Sequence, residues 1–468
     1  MRKNDLTFGL KKSFKSKFQL GSTKLECIFA LVLTVSAVLA SFTLADSTVD
    51  KAITYTPDKN GTSRIILPKI PKMVQPKKFS KIKNVILMIG DGMGPEQVKA
   101  ANFFAYGKKG QLAFQQLPYS GTVETYALTR KNKRSTKLYK TITDSAAAAT
   151  AIATGKKVFN GVISLDLPGK GKPLKTILEQ AQDAGWKTGL VTTCTITHAT
   201  PACFAAHVRS RNLARRIGQQ MLRSKVDLMM GGGCRYLEAS AAEDKGFEVV
   251  QNREQMNKLD SLEKPILGRF GEGHLIYEYH KLGKSKSQKT AKKSGNYNQN
   301  SDAENYETLP HLSEMTSKAL ELLSKNNDNG FFLMVEGGRI DHAGHINSLK
   351  RNIYETLEFD LAVRNVLKWA SKRDDTLVIV TADHETGGLK VKGNKGAGNW
   401  PKVSWASRKH SNADVYIFAW GIGAADFEGE MNNVDIPKKI RAIIRKSGNK
   451  KARKAFYDPK YKLPILED

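Results

Sequence analysis

Between Phe331 and His345 the chain reads FFLMVEGGRIDHAGH, an unbroken apolar run followed within ten residues by Glu336, Asp341 and His345. An apolar run with no polar alternation predicts a strand buried on both faces, as in a parallel sheet. Such sheets bind ligands in the crevice beyond the carboxyl ends of their strands. The same design recurs twice. In NVILMIGDGMG (84–94) the run Val85 to Ile89 leads through Gly90 to Asp91. In TLVIVTADHETGG (376–388) Leu377 to Val380 leads to Asp383 and His384. Glycines beside these carboxylates let the backbone turn sharply and approach an ion. One acid at a strand end is ordinarily a cap or turn residue. Three together, two of them with histidines nearby, point to a metal centre.

Imidazole nitrogen combined with carboxylate oxygen suits zinc, whereas oxygen-only sets suit magnesium. Asp341 and His345 are four residues apart, which puts both on one face of a helical turn. A third ligand has to come from elsewhere, and His410, in RKHSNADVYIFAWG before another apolar run, is the best remaining candidate. The second signal is TITDSAAAATAIATG (141–155), which predicts a helix over Ala146 to Thr154 stopped by Gly155. Asp144 and Ser145 stand at its start. They are either cap residues that satisfy free amides, or Ser145 is a nucleophile facing a phosphate at the positive helix end. A serine hydroxyl needs a base or a metal to activate it. The sequence holds no G-x-S-x-G elbow and no evident Ser-His-Asp arrangement, which leaves metal coordination as the route.

Taken in order, VILMIGDGMG, TDSAAAATAIATGKKVFNGV, HATPACFAAHVRSR, MMGGG, VEGGRIDHAGH, TADHETGG and KHSNADV make the chain resemble the alkaline phosphatase family over roughly residues 80 to 425. The resemblance implies hydrolysis of small-molecule phosphate monoesters by Ser145, which would become phosphoserine. It implies one zinc at Asp341, His345 and His410, a second at Asp91, Asp383 and His384, and a magnesium at Asp91, Thr200 and Glu336. Arg211, closing HVRSR, would grip two phosphate oxygens bidentately. In a chain with 75 Lys and Arg that assignment rests on the resemblance. His198 and His342 flank the metal positions, as in the animal enzymes, where some bacterial members carry Asp and Lys. Weaker magnesium retention than in the Asp-bearing members is therefore expected.

Strand-like runs at Thr188 to Thr192 and Val226 to Met230 alternate with helical segments at 173–184, 212–224 and 347–371. This alternation predicts an α/β fold: a doubly wound, mostly parallel central sheet flanked by helices. Residues 80–430 are expected to form the catalytic domain, with 239–300 inserted as a cap or rim and Gly231 to Gly233 as a turn packed against backbone. Residues 46–79 read as an N-terminal extension and 431–468 as a basic tail, its helix amphipathic and frayed at the end.

The first 45 residues read as a signal peptide, with a long basic n-region, an apolar run from Cys27 to Ala40, and small residues at Thr43 and Ala45. Export to the periplasm or the exterior follows, and an uncleaved anchor is the alternative. After cleavage Cys194, Cys203 and Cys234 remain, too few for a disulfide framework. Buried free thiols are expected over a Cys194–Cys203 bridge. The net charge of +30 concentrates at 281–293 and 438–454. Such runs are ordinarily solvated faces, and the alternative is non-specific adhesion to anionic polymers. Neither run interleaves aromatics, so specific nucleic-acid recognition is not expected. Assembly as a homodimer is left open. Two rival functions stand beside the phosphomonoesterase: a phosphodiesterase or sulfatase-like relative, and a noncatalytic basic adhesion protein.

Overall fold

The three apolar runs that end in acidic residues are adjacent strands of one sheet. In the computed structural model the described residues run from 54 to 457, with breaks at 58–62, 68, 71, 76–79, 133–134, 234–235 and 282–307. The chain divides into two compact units at Val49 and Asp50, and the first lies outside the described residues, as does the expected signal segment. Among the described residues no helix is long and apolar enough to cross a membrane.

The central sheet has ten strands. In chain order they are β1 (Asn84–Gly90), β2 (Tyr119–Glu124), β3 (Lys187–Thr195), β4 (Leu228–Gly232), β5 (Glu248–Val250), β6 (Ile266–Phe270), β7 (Phe331–Glu336), β8 (Thr376–Ala382), β9 (Val415–Gly421) and β10 (Gly429–Asn432). Their spatial order is β10-β2-β9-β8-β1-β7-β3-β4-β6-β5. Strand β9 is antiparallel to both its neighbours, and every other adjacent pair is parallel. All residues of β1, β7 and β8 are buried, as continuous apolar runs require when helices cover both faces.

Eight helices matter for the site. They are α1 (Pro95–Tyr106), α2 (Ser145–Thr154), α3 (Ala199–Ala205), α4 (Leu312–Ser324), α5 (Arg339–His345), α6 (Leu349–Ala370), α7 (Asp435–Ser447) and α8 (Lys450–Ala455). Helix α2 starts and stops where its sequence dictates. The Asp144 carboxylate accepts the Ala147 amide at 2.9 Å, and Gly155 takes the left-handed conformation at φ 82° that ends it. All ten of its residues are buried, which small side chains allow.

Three expectations are corrected. Residues 239–300 are not wholly a cap, because β5 and β6 extend the central sheet in parallel beyond β4. The buried run Ile266–Phe270 supplies the apolar surface that this requires. Gly231 and Gly232 lie within β4 rather than in a turn. The close packing expected of them does hold: a Cβ on Gly232 would stand 2.3 Å from the Gly273 carbonyl oxygen. The basic C-terminal stretch is no tail up to Phe456. Helices α7 and α8 bury Ile436, Ile440, Ile443, Ile444, Ala452 and Phe456, and Trp186 packs on Phe456 with ring centroids 5.6 Å apart. Buried Arg441 ties α7 to the α2 end, donating to the Thr154 carbonyl at 3.0 Å. Cys194 and Cys203 are buried free thiols, while Cys234 and the basic run beyond Lys281 lie outside the described residues.

Candidate active site

Each carboxylate sits where its strand ends because the next residues turn away. Asp91 follows β1 directly, Glu336 is the last residue of β7, and Asp383 and His384 follow β8. Since β8, β1 and β7 are consecutive parallel neighbours, their carboxyl ends open on one crevice. Gly92, at φ 70°, permits a close approach, as a Cβ there would meet the Asp341 Cα at 2.7 Å.

Among the described residues five groups of side chains have ligand atoms within 4.8 Å of one another, and three of them hold the carboxylates of this crevice. In the first, His410 Nε2 stands 3.3 Å from Asp341 Oδ1, and His345 Nε2 is 3.2 Å from Asp341 Oδ2 and 3.1 Å from His410 Nε2. Backbone carbonyls of Arg408 and Thr143 take the opposite nitrogens, His345 Nδ1 at 2.7 Å and His410 Nδ1 at 2.8 Å. Both rings are thereby fixed with Nε2 turned inward, the usual arrangement of a metal-binding histidine. The second group is Asp91, Asp383 and His384, with His384 Nε2 at 3.5 Å from Asp91 Oδ1 and 3.3 Å from Asp383 Oδ2. The third brings Asp91 and Glu336 together with His198. Thr200, expected here, is buried at the start of α3.

Ser145 opens α2 and is 2% exposed, with Oγ 3.3 Å from His384 Nε2. In a Ser-His-Asp triad the acid takes the ring nitrogen opposite the serine. Here two carboxylates and the hydroxyl all face the same Nε2, a convergence on a point rather than a relay. Arg211 is oriented from both sides: Nη1 donates to Asp144 Oδ2 and Nη2 to His198 Nε2, each at 3.1 Å. Asp144 therefore caps the helix that Ser145 opens and holds the arginine, a second role invisible in sequence.

Crowding of carboxylates in a buried crevice sets the electrostatics of the site. Burial, then the charges of Asp383, Asp341 and Glu336, push the Asp91 carboxyl well above its ordinary range. Burial likewise lifts Asp383 to about 7 and raises Glu336. Burial also presses on Asp341, but hydrogen bonds from His345 and His410 outweigh it and hold this carboxyl low. Burial keeps His384, His198 and His342 neutral. Both oxygens of Asp91, Glu336 Oε1, Asp383 Oδ2 and Thr200 Oγ1 are buried and accept no hydrogen bond. Orphaned acceptors of this kind are costly to bury and would be satisfied by cations. The donor sets fit: nitrogen with carboxylate in the first two groups, mainly oxygen around Glu336.

All the expected residues thus lie at this crevice, with His342 beside them, its Nδ1 2.8 Å from Arg339 Nη1. The sequence reading missed Thr192, which donates to Glu336 Oε2 at 2.5 Å, and Thr386, which donates to Asp341 Oδ1 at 2.5 Å. It also missed His274, whose ring lies 4.5 Å from that of His342. Thr386 sits inside TADHETGG and could have been suspected; Thr192 and His274 carry no sequence signal.

The sequence profile of the alkaline phosphatase family matches residues 82–404. The alkaline phosphatase of Escherichia coli (strain K12) is 33% identical over 418 residues, covering 77% of this chain and 86% of that one. The solved alkaline phosphatase of the Antarctic bacterium TAB5 is 30% identical at a TM-score of 0.61, covering 78% of this chain and 98% of its own. A variant of the TAB5 enzyme, a histidine replaced by aspartate, has magnesium bound in its M3 site; it is 29% identical at a TM-score of 0.61, covering 78% and 99%.

Stripping divalent cations should lower the melting temperature, and the gap should widen as pH rises from about 4 to about 7. In stripped protein, folded Asp383 keeps a proton up to about 7 that the unfolded chain releases near 3.8. Stability from this group is therefore lost across that window, and bound cations restore it. Calorimetry of stripped and reloaded protein checks this. A gap absent, or constant with pH, contradicts it.

Proposed function

The chain belongs to the alkaline phosphatase family, and from that premise we propose that it hydrolyses phosphate monoesters through a phosphoserine at Ser145. It is a phosphoric monoester hydrolase, and the family is metal-dependent. The observation that carries the finer reading is the convergence of Asp91, Asp383, His384 and Ser145 Oγ on one point beside unsatisfied carboxylate oxygens.

Zinc held by Asp341, His345 and His410, zinc held by Asp91, Asp383 and His384, and magnesium held by Asp91, Thr200 and Glu336 would supply Lewis acidity toward hydroxyl, phosphoryl and leaving oxygens. The protein's own residues account for the rest. Ser145 Oγ gives up its proton to solvent and forms a bond to phosphorus as the ester P–O bond breaks, and the leaving alkoxide departs as alcohol with a proton from solvent. Water then attacks phosphoserine from the vacated side, returning the serine hydroxyl and releasing inorganic phosphate. Arg211, held by Asp144 and His198, is preset to grip two phosphoryl oxygens bidentately. The amino end of α2 favours the anionic group at Ser145. Nothing in this scheme grips the alcohol, so broad monoester specificity follows.

Ser145→Ala should lower kcat/KM for p-nitrophenyl phosphate by on the order of a thousandfold or more. It should also abolish trapping of radioactive phosphate on the protein, and the parent should turn over the monoester far faster than the corresponding diester. Near-parent turnover by Ser145→Ala removes the covalent step. Because His198 stands beside Asp91 and Glu336 where a carboxylate would add negative charge, His198→Asp should retain magnesium longer under mild chelation. Elemental analysis over time reads this, and equal loss from both proteins contradicts it. Export is also part of the proposal, supported by the basic and apolar segments before residue 45. N-terminal sequencing of the exported protein should begin near Asp46; an intact Met1 on exported protein rejects cleavage.

A further inference from the structure

Between His384 and His410 the chain leaves the crevice through the antiparallel pair Leu389–Gly393 and Lys402–Trp405. It comes back by a ladder of two residue pairs, Glu385 with Ser411 and Thr386 with His410. So short a ladder is too weak to hold its own register. Something further must fix where His410 lands.

Glu385 is the residue placed to do so. It is 4% exposed, yet its carboxylate is engaged by hydrogen-bond donors from three separate segments. Oε1 accepts from Gln97 Nε2 on α1 at 2.7 Å and from the Leu389 amide at 3.2 Å. Oε2 accepts from the Gly388 amide at 3.2 Å and from the hydroxyl of Ser411. Gln97 is itself buried and also donates to the Thr386 carbonyl at 2.8 Å. Gly94 packs directly on the side chain, for a Cβ there would stand 2.2 Å from Glu385 Cγ. Ser411 adjoins His410, whose ring stacks on that of His384 with centroids 3.7 Å apart. A carboxylate only accepts hydrogen bonds, so it matches this all-donor surround; a glutamine would turn an N–H toward one of the donors.

We propose that Glu385 is a positioning residue for the Asp341–His345–His410 cation site. Its carboxylate locks the returning strand so that His410 meets Asp341 and His345, and it thereby sets the zinc affinity of that site. The chemistry at Ser145 does not depend on it once the site is filled. This rests on reading the trio as a zinc site, so the experiment separates the two claims.

Zinc titration against a chromophoric chelator is carried out on the full protein and on Glu385→Gln, Ser411→Ala and His410→Ala. Glu385→Gln should weaken one zinc equivalent by about 10–100-fold, the range for partners of metal ligands. Ser411→Ala should shift the same equivalent by less, and it carries the test if Glu385→Gln does not fold. Activity lost at low free zinc should return to the parent kcat at saturating zinc, which a merely structural defect would not do. Parent-like zinc affinity in both variants, or lost activity that zinc does not restore, overturns the proposal. His410→Ala should remove that zinc equivalent; unchanged zinc binding in His410→Ala overturns the zinc reading itself.

Discussion

The structure is organised around an excess of buried negative charge. Asp91, Glu336, Asp341 and Asp383 share one crevice, each almost fully removed from water, and several of their oxygens accept no hydrogen bond. Uncompensated carboxylates in such surroundings would take up protons or disperse. They are kept together by the buried strands β1, β7 and β8 and by helix α5, which carries Asp341, and the arrangement makes physical sense once cations lie among them.

The sheet supplies the geometry that such a site demands. Three adjacent parallel strands bring carboxylates from residues nearly 300 positions apart into one group, as Asp91 and Asp383 show. Antiparallel β9 follows the returning segment that carries His410. Asp144 couples Ser145 and Arg211, capping α2 with Oδ1 and holding Arg211 with Oδ2. One carboxylate thus fixes where the Ser145 hydroxyl and the Arg211 guanidinium stand relative to each other.

Much of this was legible in the chain because the signals were local. Phe331–Val335, Val85–Ile89 and Leu377–Val380 announced buried parallel strands, and the residues following them announced the side chains that meet in the crevice. The Ala-rich run behind Asp144 marked both ends of α2. What escaped was whatever depends on a distant partner. Thr192 and Thr386 matter only through the carboxylates they meet, and His274 only through the histidines it faces. In the C-terminal stretch the expected amphipathic helix is present, with Ile436, Ile440, Ile443 and Ile444 burying one face; what escaped is that this face packs into the core, so the stretch is no tail. The glycines at 231 and 232 suggested a turn, whereas crowding by neighbouring backbone makes them necessary inside a strand.

If cations complete the carboxylate crevice beside Ser145, anomalous X-ray diffraction at the zinc absorption edge, on crystals grown without chelator, will locate them. One strong peak is expected among Asp341, His345 and His410 and another among Asp91, Asp383 and His384, the second adjoining Ser145 Oγ. Active crystals with no peak at either position, and those carboxylates bonded only to water or protons, would contradict it.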